Sequence, residues 1–482
     1  MGTNRRDFLR NSLISAGLIS SGLMACTPGS EEKAKNSNST THTQRFNMCG
    51  FAAPKLDVVR IGFIGLGQRG PGAVERMSHI DGVEIAGLCD VYDDRVEKCQ
   101  KILEGKGLPR AKSYSGSREI WKKMCESPDI DLIYTCTPWS MHTPIAVYAM
   151  ENGKHAATEV PAAKTLDECW QLVETSERTK KHCMMLENCC YDFFELLTLN
   201  MARQGYFGEI IHCEGSYIHH LLELNFKKDG YADMWRLKEN ASRNGNLYPT
   251  HGLGPVCQVM NINRGDKMEY LVSMQSADFQ MAEKAKELAA TDNFYSEFVG
   301  KHYRGNMNTS VIKTYKGRTI MIQHDVTSTR PYSRIHLISG TKGIARKWPS
   351  PERVSVGEEW LSDDEMKKLY DEYTPEIVKK VGEMAKQVGG HGGMDFMMDW
   401  RLIDCLRNGL PLDEDVYDAA LWSSIAPLSE ASVASRSNSV DVPDFTCGAW
   451  KTNTPVELTL KGGGTTNFRK MKDTDPSKQM HV

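Results

Sequence analysis

The chain has 482 residues, a formal net charge of −3 and 40% hydrophobic residues. This length accommodates two or three globular domains. The slight negative charge, without long runs of basic residues, argues against a protein that binds nucleic acid.

Residues 1–25 have the features of an export signal. Arg5 and Arg6 form an arginine pair, and a weakly apolar stretch of residues 13–23 follows, too short for a stable membrane span. The stretch ends in Leu23-Met24-Ala25-Cys26, which resembles a lipobox. We expect twin-arginine export and a periplasmic or cell-surface lipoprotein, held to the membrane only by acyl chains on Cys26. The alternative is a cytoplasmic protein with a basic start. Residues 26–55 are predicted to be a flexible tether.

The cysteines of this chain predict free thiols. Of fourteen, thirteen remain after Cys26, an odd and scattered set. Cys189 and Cys190 have no second pair at zinc-ligand spacing, so no metal site is expected. Folding in the reducing cytoplasm before export would keep these thiols free.

Strand and helix patterns alternate over residues 56–187. Strands are predicted at residues 58–64, 83–89, 131–137, 154–158 and 183–187, and helices at residues 93–103, 145–152 and 166–179. This alternation predicts a doubly wound parallel sheet, the Rossmann fold of nucleotide-binding domains.

A glycine fingerprint follows the first predicted strand. Gly65 permits a tight turn, Gly67 admits a pyrophosphate close to the backbone, and Gly70 lets helix and strand pack closely. Asp90 ends the second strand, where a carboxylate bonds ribose hydroxyls and repels a 2′-phosphate, so NAD is favoured over NADP. The alternative is a glycine loop without a ligand.

The end of the next long strand points to the same crevice. Trp139 and His142 follow residues 131–137, and strand ends border the cofactor in such sheets. We expect both to flank the nicotinamide or ribose. Alternatively, Trp139 is a packed aromatic residue and His142 a residue of a helix start.

The second domain is predicted over residues 188–445. Strands at residues 208–217, 268–279, 307–315, 319–327 and 334–339 indicate an α+β domain with a largely antiparallel open sheet. Helices at residues 251–261, 394–406 and 416–435 would cover one face, leaving the other for a partner subunit in a homo-oligomer. Residues 446–482 are predicted to be a peripheral tail.

The order of motifs resembles the Gfo/Idh/MocA oxidoreductase superfamily. A Rossmann fingerprint, Thr137-Pro138 and Glu159-Val160-Pro161 precede a second α/β domain. The superfamily's ordinary dehydrogenases carry Glu-Lys-Pro at the last motif, and its Lys assists proton transfer. Here Val160 replaces that Lys.

One subgroup fits these departures. The chain resembles the NAD-dependent glycosyl hydrolase family 109 in the following motifs: Leu186-Glu187-Asn188-Cys189-Cys190-Tyr191, Trp235-Arg236, Leu247-Tyr248-Pro249-Thr250-His251-Gly252, Arg330-Pro331-Tyr332 and Gly390-His391-Gly392-Gly393-Met394-Asp395. The family's characterised activity is α-N-acetylgalactosaminidase. Where the resemblance implies Asp-Leu-Arg after Tyr217-Ile218-His219, this chain has His220-Leu221-Leu222, which bears on substrate identity.

The resemblance also implies a set of binding residues. The implied NAD contacts are Gln68, Arg69, Asp90, Trp139 to His142, Glu159, Val160 and Asn188. The implied sugar contacts are Tyr217, Arg236, Tyr248, His251 and Tyr332.

The chemistry expected here needs a nicotinamide rather than the usual carboxylate pair of glycosidases. Oxidation at C3 would acidify the C2 hydrogen, the aglycone would leave by elimination, and water addition and reduction would follow with retention. Tightly bound NAD, recycled at each turnover and exported within the folded protein, would need no supply outside the cell.

His251 and Tyr217 are the predicted acid/base residues, and their assignment to C2 or to the 3-hydroxyl stays open. Each has a structural alternative, His251 as a residue of a helix start and Tyr217 as a packed strand aromatic. His391 either lines the site or caps the helix at residues 394–406.

The predicted function is an exported glycosidase for terminal α-N-acetylgalactosamine-type glycosides, with a glycan as its partner. Two rivals remain at this point. One is an exported NAD-dependent sugar dehydrogenase, which would consume added NAD⁺. The other is a non-catalytic surface protein that binds carbohydrate.

Overall fold

The computed structural model describes residues 42–469. The sequence predictions for Arg5, Arg6 and Cys26 lie outside these residues. None of the helices between residues 42 and 469 is long and apolar enough to cross a membrane.

The first domain is built on a parallel sheet of six strands in the order β3-β2-β1-β4-β5-β6. The strands are β1 (Val59–Ile64), β2 (Val83–Cys89), β3 (Lys112–Tyr114), β4 (Leu132–Thr135), β5 (His155–Thr158) and β6 (Cys183–Met185). The helices are α1 (Gly70–Ser78), α2 (Asp93–Gly105), α3 (Ile120–Cys125), α4 (His142–Glu151) and α5 (Leu166–Thr179). The predicted doubly wound parallel sheet is confirmed.

Burial and capping explain why the sequence predicts most of this domain. Ile61 and Phe63 of β1 are fully buried, as expected of a parallel strand covered on both faces. Helix α5 begins with a capping box in which Thr165 and Glu168 satisfy each other's backbone N–H groups. The prediction lacked β3, which is only three residues long, with Lys112 and Ser113 exposed, and therefore gives no hydrophobic pattern.

The second domain carries a mixed sheet of eight strands in the order β13-β12-β11-β7-β10-β9-β8-β14. Its strands are β7 (Ile210–Ile218), β8 (Met268–Gln275), β9 (Asn308–Thr314), β10 (Thr319–Asp325), β11 (Leu337–Gly340), β12 (Ile344–Arg346), β13 (Arg353–Ser355) and β14 (Val440–Asp441). Strands β7 and β10 are parallel and the other neighbouring pairs are antiparallel. The largely antiparallel sheet expected from the sequence is confirmed.

The second domain also contains α-helices. They are α6 (Phe193–Arg203), α7 (Leu222–Phe226), α8 (Trp235–Asn240), α9 (Thr250–Val259), α10 (Met281–Ala289), α11 (Asp363–Tyr373), α12 (Glu376–Val388), α13 (Met394–Asn408) and α14 (Val416–Ala434). Helix α9 packs on β7, and α14 packs on β8. On the opposite face, Tyr270, Val272 and Met274 of β8 alternate with buried residues and are exposed, as is Val311 of β9.

The structure differs from the predicted tether at residues 42–55. The ring of His42 is 5% exposed, and its Nε2 lies 3.3 Å from Oε2 of Glu177. Gln44 donates a hydrogen bond of 2.8 Å to the Tyr417 hydroxyl, and Met48 is buried. This segment is fixed because the buried carboxylate of Glu177 needs hydrogen-bond donors, a requirement that the polar composition of the segment does not reveal.

The described part of the predicted tail is also packed. Trp450 is buried, and the indole N–H of Trp400 donates to the Thr466 carbonyl. Phe468 forms a β-bridge with Ile80, at the end of α1. The chain up to residue 469 therefore returns to the first domain instead of lying at its periphery.

Candidate active site

One large cleft of about 1860 Å³ lies between the two domains. One wall is made by the loops that follow β1, β2, β4 and β5, and the other by β7, α8, α9 and residues 389–393. Cofactor crevices of parallel sheets occupy this position, at the carboxyl ends of the strands.

The glycine loop is shaped for a close approach to this cleft. Gly65 has φ +91°, and a Cβ atom there would lie 2.8 Å from the Cys136 carbonyl group. A Cβ atom on Gly70 would lie 2.3 Å from the Gly65 oxygen, so α1 and β1 need glycine to pack. A Cβ atom on Gly67 would meet only Arg95, at 3.5 Å. The space above Gly67 is therefore available to a phosphate group.

Asp90 stands at the end of β2, as the sequence predicts. Its Oδ2 accepts a hydrogen bond of 2.7 Å from the Leu66 N–H, and its Oδ1 accepts one of 3.1 Å from the Tyr92 N–H. Arg95 lies 3.5 Å from the same carboxylate. Asp90 thus fixes the glycine loop and remains at the cleft wall, where its oxygens can also reach ribose hydroxyls.

The side chain of Trp139 faces the cleft, whereas the ring nitrogens of His142 face backbone carbonyl groups. Trp139 lines the cleft and stacks on Tyr248 at 5.8 Å. The ring nitrogens of His142 lie 2.7 Å from the Pro161 carbonyl oxygen and 2.8 Å from that of Thr137. His142 borders the cleft but has no ring nitrogen free for a cofactor. The expectation that it flanks nicotinamide or ribose is therefore replaced by a structural role, in which it fixes the loops after β4 and β5.

Two other implied cofactor residues, Arg69 and Asn188, contact the buried carboxylate of Asp395. Arg69 Nη2 lies 3.3 Å from Asp395 Oδ2, Arg69 Nε lies 3.3 Å from Glu159 Oε1, and the Asn188 amide donates to Asp395 Oδ1. Burial raises the pKa of Asp395, but Arg76 and Arg69 outweigh it, and the pKa is well below its usual range. Asp395 is therefore an anion that holds Arg69 and Asn188.

Two further implied residues line the same part of the cleft. They are Gln68, in the glycine loop, and Val160, whose side chain is buried. Val160 presents an apolar surface where the ordinary dehydrogenases of the superfamily place a Lys.

Aromatic rings enclose the deep end of the cleft. The Tyr217 ring lies 4.7 Å from that of Tyr248 and 5.3 Å from that of His251. Tyr332 packs 6.2 Å from Tyr217 and 5.0 Å from His219, and its implied contact with a sugar stays a prediction.

Arg236 supplies the positive charge at this end. Its guanidinium lies 4.9 Å from the centre of the Tyr248 ring, and Nη1 donates a hydrogen bond of 2.9 Å to the Tyr231 hydroxyl. Nη2 is buried and has no acceptor among residues 42–469. A buried cationic N–H group without an acceptor is costly. Arg236 therefore has a donor available for a ligand oxygen.

His251 is held by a buried carboxylate. Its Nδ1 lies 2.7 Å from Oε1 of Glu187, a residue with no exposed surface. Burial raises the pKa of Glu187, but His251 and further hydrogen bonds outweigh it, so the pKa lies below its usual value. Because the carboxylate is an acceptor, Nδ1 of His251 carries the proton and Nε2 has the free lone pair of a base.

A second carboxyl group stands behind this pair. Glu414 Oε2 lies 3.3 Å from the Glu187 backbone nitrogen, which donates to it. Burial, Glu187 and Asp418 raise the pKa of Glu414 well above its usual range. Glu414 is therefore neutral, and Glu187 carries the negative charge.

Sequence reasoning missed His219 as a site residue. Its Nδ1 lies 3.0 Å from the Tyr217 hydroxyl, and it lines the cleft. Burial, Arg236 and other histidines lower its pKa to about 4, so the ring is neutral at neutral pH and can accept a hydrogen bond from the Tyr217 hydroxyl. Burial raises the pKa of Tyr217, which stays protonated. Residues i and i+2 of a strand share a face, and this spacing could have identified His219.

Three side chains of the types that bind metal ions have ligand atoms within 4.8 Å of one another: Glu187, Cys189 and His251. Burial raises the pKa of the Cys189 thiol well above its usual value. A protonated thiol is a poor metal ligand. The hydrogen bonds of Glu187 to His251 and to the Cys189 N–H account for the closeness of the three groups.

The thirteen cysteines within residues 42–469 are all free thiols, in agreement with the sequence prediction.

Family models match both domains. Residues 59–187 match the oxidoreductase family with the NAD-binding Rossmann fold, and residues 191–452 match the C-terminal domain of glycosyl hydrolase 109. Residues 59–187 of this chain therefore form an NAD-binding domain.

Relatives and solved structures agree with these matches. The chain is 48% identical over 457 residues to glycosyl hydrolase family 109 protein 1 of Bacteroides fragilis, covering 91% of this chain and 97% of that protein. It is 50% identical over 411 residues to an alpha-N-acetylgalactosaminidase of Bacteroides fragilis, covering 84% and 96%.

Among solved structures, scyllo-inositol dehydrogenase from Lactobacillus casei with bound NAD(H) and scyllo-inositol has the same fold, with a TM-score of 0.56, 12% identity and coverage of 80% of this chain and 99% of that chain. Aldose-aldose oxidoreductase from Caulobacter crescentus is similar, with a TM-score of 0.58, 15% identity and coverage of 80% and 100%. Both domains match their family models, and the sequence identity extends over nearly the whole length of these relatives. This chain is therefore an NAD-dependent glycoside hydrolase and belongs to glycosyl hydrolase family 109.

Proposed function

We propose that this chain is an exported glycosidase for terminal α-N-acetylgalactosamine-type glycosides, working by oxidation, elimination, addition and reduction with retention at C1. The observation that carries the proposal is the position of two proton-transfer pairs, His251 with Glu187 and Tyr217 with His219, at the deep end of the cofactor cleft. The similarity to an alpha-N-acetylgalactosaminidase supports the substrate class.

The cleft fits a dinucleotide. Gly67 leaves room for phosphate oxygens, Asp90 offers carboxylate oxygens to ribose, and the Thr137 hydroxyl at the end of β4 is buried without a partner among residues 42–469. Arg69 lies in the same loop as Gly67 and is held by Asp395 of the second domain, so it would contact the cofactor beside the phosphate position. Asn188 supports Arg69 by its own hydrogen bond to Asp395. These groups support tight retention of NAD through export and catalysis.

When bound, the nicotinamide supplies reversible oxidation at C3 of the sugar, which makes the C2 hydrogen acidic. The protein must then accept one proton from the 3-hydroxyl and one from C2. His251 Nε2 is one acceptor, because Glu187 stabilises its protonated form. The Tyr217 hydroxyl, which is hydrogen-bonded to the neutral ring of His219, is the other group placed to exchange a proton with the sugar.

Arg236 orients the sugar in this scheme. Its buried Nη2 would donate to a hydroxyl or acetamido oxygen, and the rings of Tyr217 and Tyr248 would pack against the apolar face of the sugar. Val160 removes the Lys that ordinary dehydrogenases use, so a different proton acceptor must serve the 3-hydroxyl.

The carboxylate mechanism of most glycosidases has less support. It needs two carboxyl groups that flank the scissile bond. Glu187 is bonded to His251, Asp395 is bonded to arginines, and Glu223 pairs with Lys284 at 3.0 Å while 70% exposed. Each of these three carboxylates is therefore paired with a histidine, arginine or lysine side chain.

Export and assembly are parts of the proposal. The arginine pair Arg5-Arg6 and the lipobox ending in Cys26 support a lipoprotein exported with its cofactor. The exposed apolar residues Tyr270, Val272 and Met274 support a homo-oligomer in which this sheet face is covered by a partner subunit. Sedimentation of the purified protein checks the assembly, and a monomer would refute it.

The test is a panel of nitrophenyl glycosides incubated with the purified protein and no added cofactor. We expect release of nitrophenol from the α-N-acetylgalactosaminide over many turnovers, and none from a His251→Ala variant. Turnover only with added NAD⁺, consumed in proportion, would instead identify a sugar dehydrogenase.

A further inference from the structure

The sequence left the role of His391 open between lining the site and capping the helix at residues 394–406. It lines the cleft, and its Nδ1 lies 2.9 Å from Asp395 Oδ2. Nε2 is on the far side of the ring from Asp395, and the side chain is 47% exposed. His391 is thus a histidine held by a buried carboxylate, with its second nitrogen available.

The backbone around His391 supports a functional position. Residues 389–393 all have positive φ, and His391, the only one that is not glycine, has φ +46°. A non-glycine residue in this region costs on the order of 1–3 kcal/mol and persists where the surroundings hold it. A Cβ atom on Gly390 would lie 2.7 Å from the Asp395 Cβ, so the glycine is what lets the loop approach Asp395.

His391 lies nearer the mouth of the cleft than His251 does. The His251 side chain is 13% exposed and sits among the buried rings of Tyr217 and Tyr248, whereas the His391 side chain is 47% exposed. Both histidines line the same cleft as His219 and Arg236.

A terminal sugar in the deep end must point its aglycone toward the mouth, because the rest of a glycan extends away from the enclosed ring. The group nearest the C1 oxygen is then a mouth-side group. We propose that His391 is a further catalytic residue, which protonates the departing aglycone oxygen and then activates the water that adds to C1. This inference rests on the proposed function.

Every proton transferred in this step has a donor and an acceptor. In the elimination, the electron pair left at C2 forms the C1–C2 double bond and the C1–O bond breaks. The aglycone oxygen takes a proton from Nε2 of His391 in its imidazolium form, and the neutral ring that remains keeps its Nδ1–H on Asp395. In the addition, His391 Nε2 takes a proton from water as its oxygen bonds to C1, and C2 regains a proton. Retention requires water to enter from the face that the aglycone left, so one residue can serve both steps.

The need for this proton depends on the leaving group. Nitrophenolates and thiolates are stabilised anions and can leave without protonation, whereas a sugar or alkyl alcohol cannot leave readily as an anion. A His391→Gln variant should therefore be selectively poor on alkyl glycosides. The matched control is His302→Gln, which changes an exposed histidine that does not line the cleft.

The experiment compares kcat/KM of holoenzyme variants on nitrophenyl, thiophenyl and alkyl glycosides of the same sugar, together with their NAD content. Because kcat/KM reports the steps through departure of the aglycone, the later addition of water does not enter it. For His391→Gln, we expect kcat/KM within about threefold of the unchanged protein on the first two, a loss of about 10²-fold on the alkyl glycoside, and unchanged NAD content. The kcat of the variant should fall on all three substrates if addition of water becomes the slow step. His302→Gln should match the unchanged protein on all three.

Three results would overturn the inference alone, and a fourth would refute the proposed function. An equal loss of kcat/KM on all three substrates would give His391 no role at the leaving group, and a loss of NAD from His391→Gln would make it a cofactor residue. If the unchanged protein cleaves none of the three, the proposed function itself fails. If it cleaves all three and the variant does so equally well, only the inference fails.

Discussion

Nδ1 of His251 lies 2.7 Å from Oε1 of Glu187, although the two residues are 64 positions apart in the chain. Glu187 follows the last strand of the first sheet, and His251 lies in the first turn of α9 in the second domain. The first domain therefore orients His251 of the second domain. The geometry of the proposed base depends on the two domains being held together.

We expect His251→Ala to lower kcat by about 10²-fold or more, the usual contribution of a positioned acid or base. Glu187→Gln should cost less, because an amide oxygen still accepts from Nδ1. Steady-state kinetics measure both rates, and a Glu187→Gln variant as fast as the unchanged protein would separate the carboxylate from catalysis.

The purified protein should carry NAD, and Asp90→Ala should weaken its retention. The change removes the ribose acceptor and also the 2.7 Å hydrogen bond that holds the Leu66 N–H of the glycine loop. A hydrogen bond to a charged group contributes about 1.5–3 kcal/mol, which corresponds to a loss of affinity of roughly tenfold to 100-fold. NAD released by denaturing the protein is assayed in the supernatant, with the exposed Asp93→Ala as control. An unchanged protein without NAD would contradict the expectation.

Acid should destabilise the fold below pH 6.5. Burial, followed by nearby positive charges, lowers the pKa of His182 to about 4 and that of His336 to about 3. Below pH 6.5 these histidines are protonated in the unfolded chain but stay neutral in the folded chain. The free energy of unfolding therefore decreases as the pH falls from 6.5 toward 4.

Each of these histidines should contribute a slope of about 1.4 kcal/mol per pH unit within that window. Urea unfolding at pH 7.5, 6 and 5 measures the free energy of unfolding. A His182→Asn variant should show a shallower dependence than the exposed control His302→Gln. Equal slopes for the two variants would refute the assignment to His182.

Replacing Arg5 and Arg6 together with lysine should keep the protein in the cytoplasm, because the twin-arginine pathway requires the pair. Cys26→Ser should leave export possible and abolish incorporation of labelled fatty acid. Cell fractionation and labelling measure the two outcomes. Normal export of the double lysine variant would show that another route is used.

The sequence predicted the first domain well because its parallel strands are buried on both faces and give continuous apolar runs, as in β1. The position of Glu187 against His251 was not predictable from local patterns, because it depends on how the two domains pack. The packing of His42 and Met48 was hidden for the same reason, since the buried acceptor at Glu177 belongs to α5.

Family resemblance and structure contributed differently to the site. Resemblance pointed to Tyr217, Arg236 and His251, and the structure brings all three to one cleft. It also pointed to His142, which bonds two backbone carbonyls instead of facing a ligand. A short motif indicates that a residue is near the site, whereas only the partners of its side chain tell which atoms remain free.

The central claim is that the C2 hydrogen leaves during hydrolysis. The most direct measurement is hydrolysis of an α-N-acetylgalactosaminide in D₂O, followed by NMR of the released sugar before mutarotation. The account predicts deuterium at C2 and a retained configuration at C1, because His251 and Tyr217 exchange protons with solvent. Hydrogen fully retained at C2 after complete turnover would contradict it and return the reaction to a mechanism with carboxylates alone.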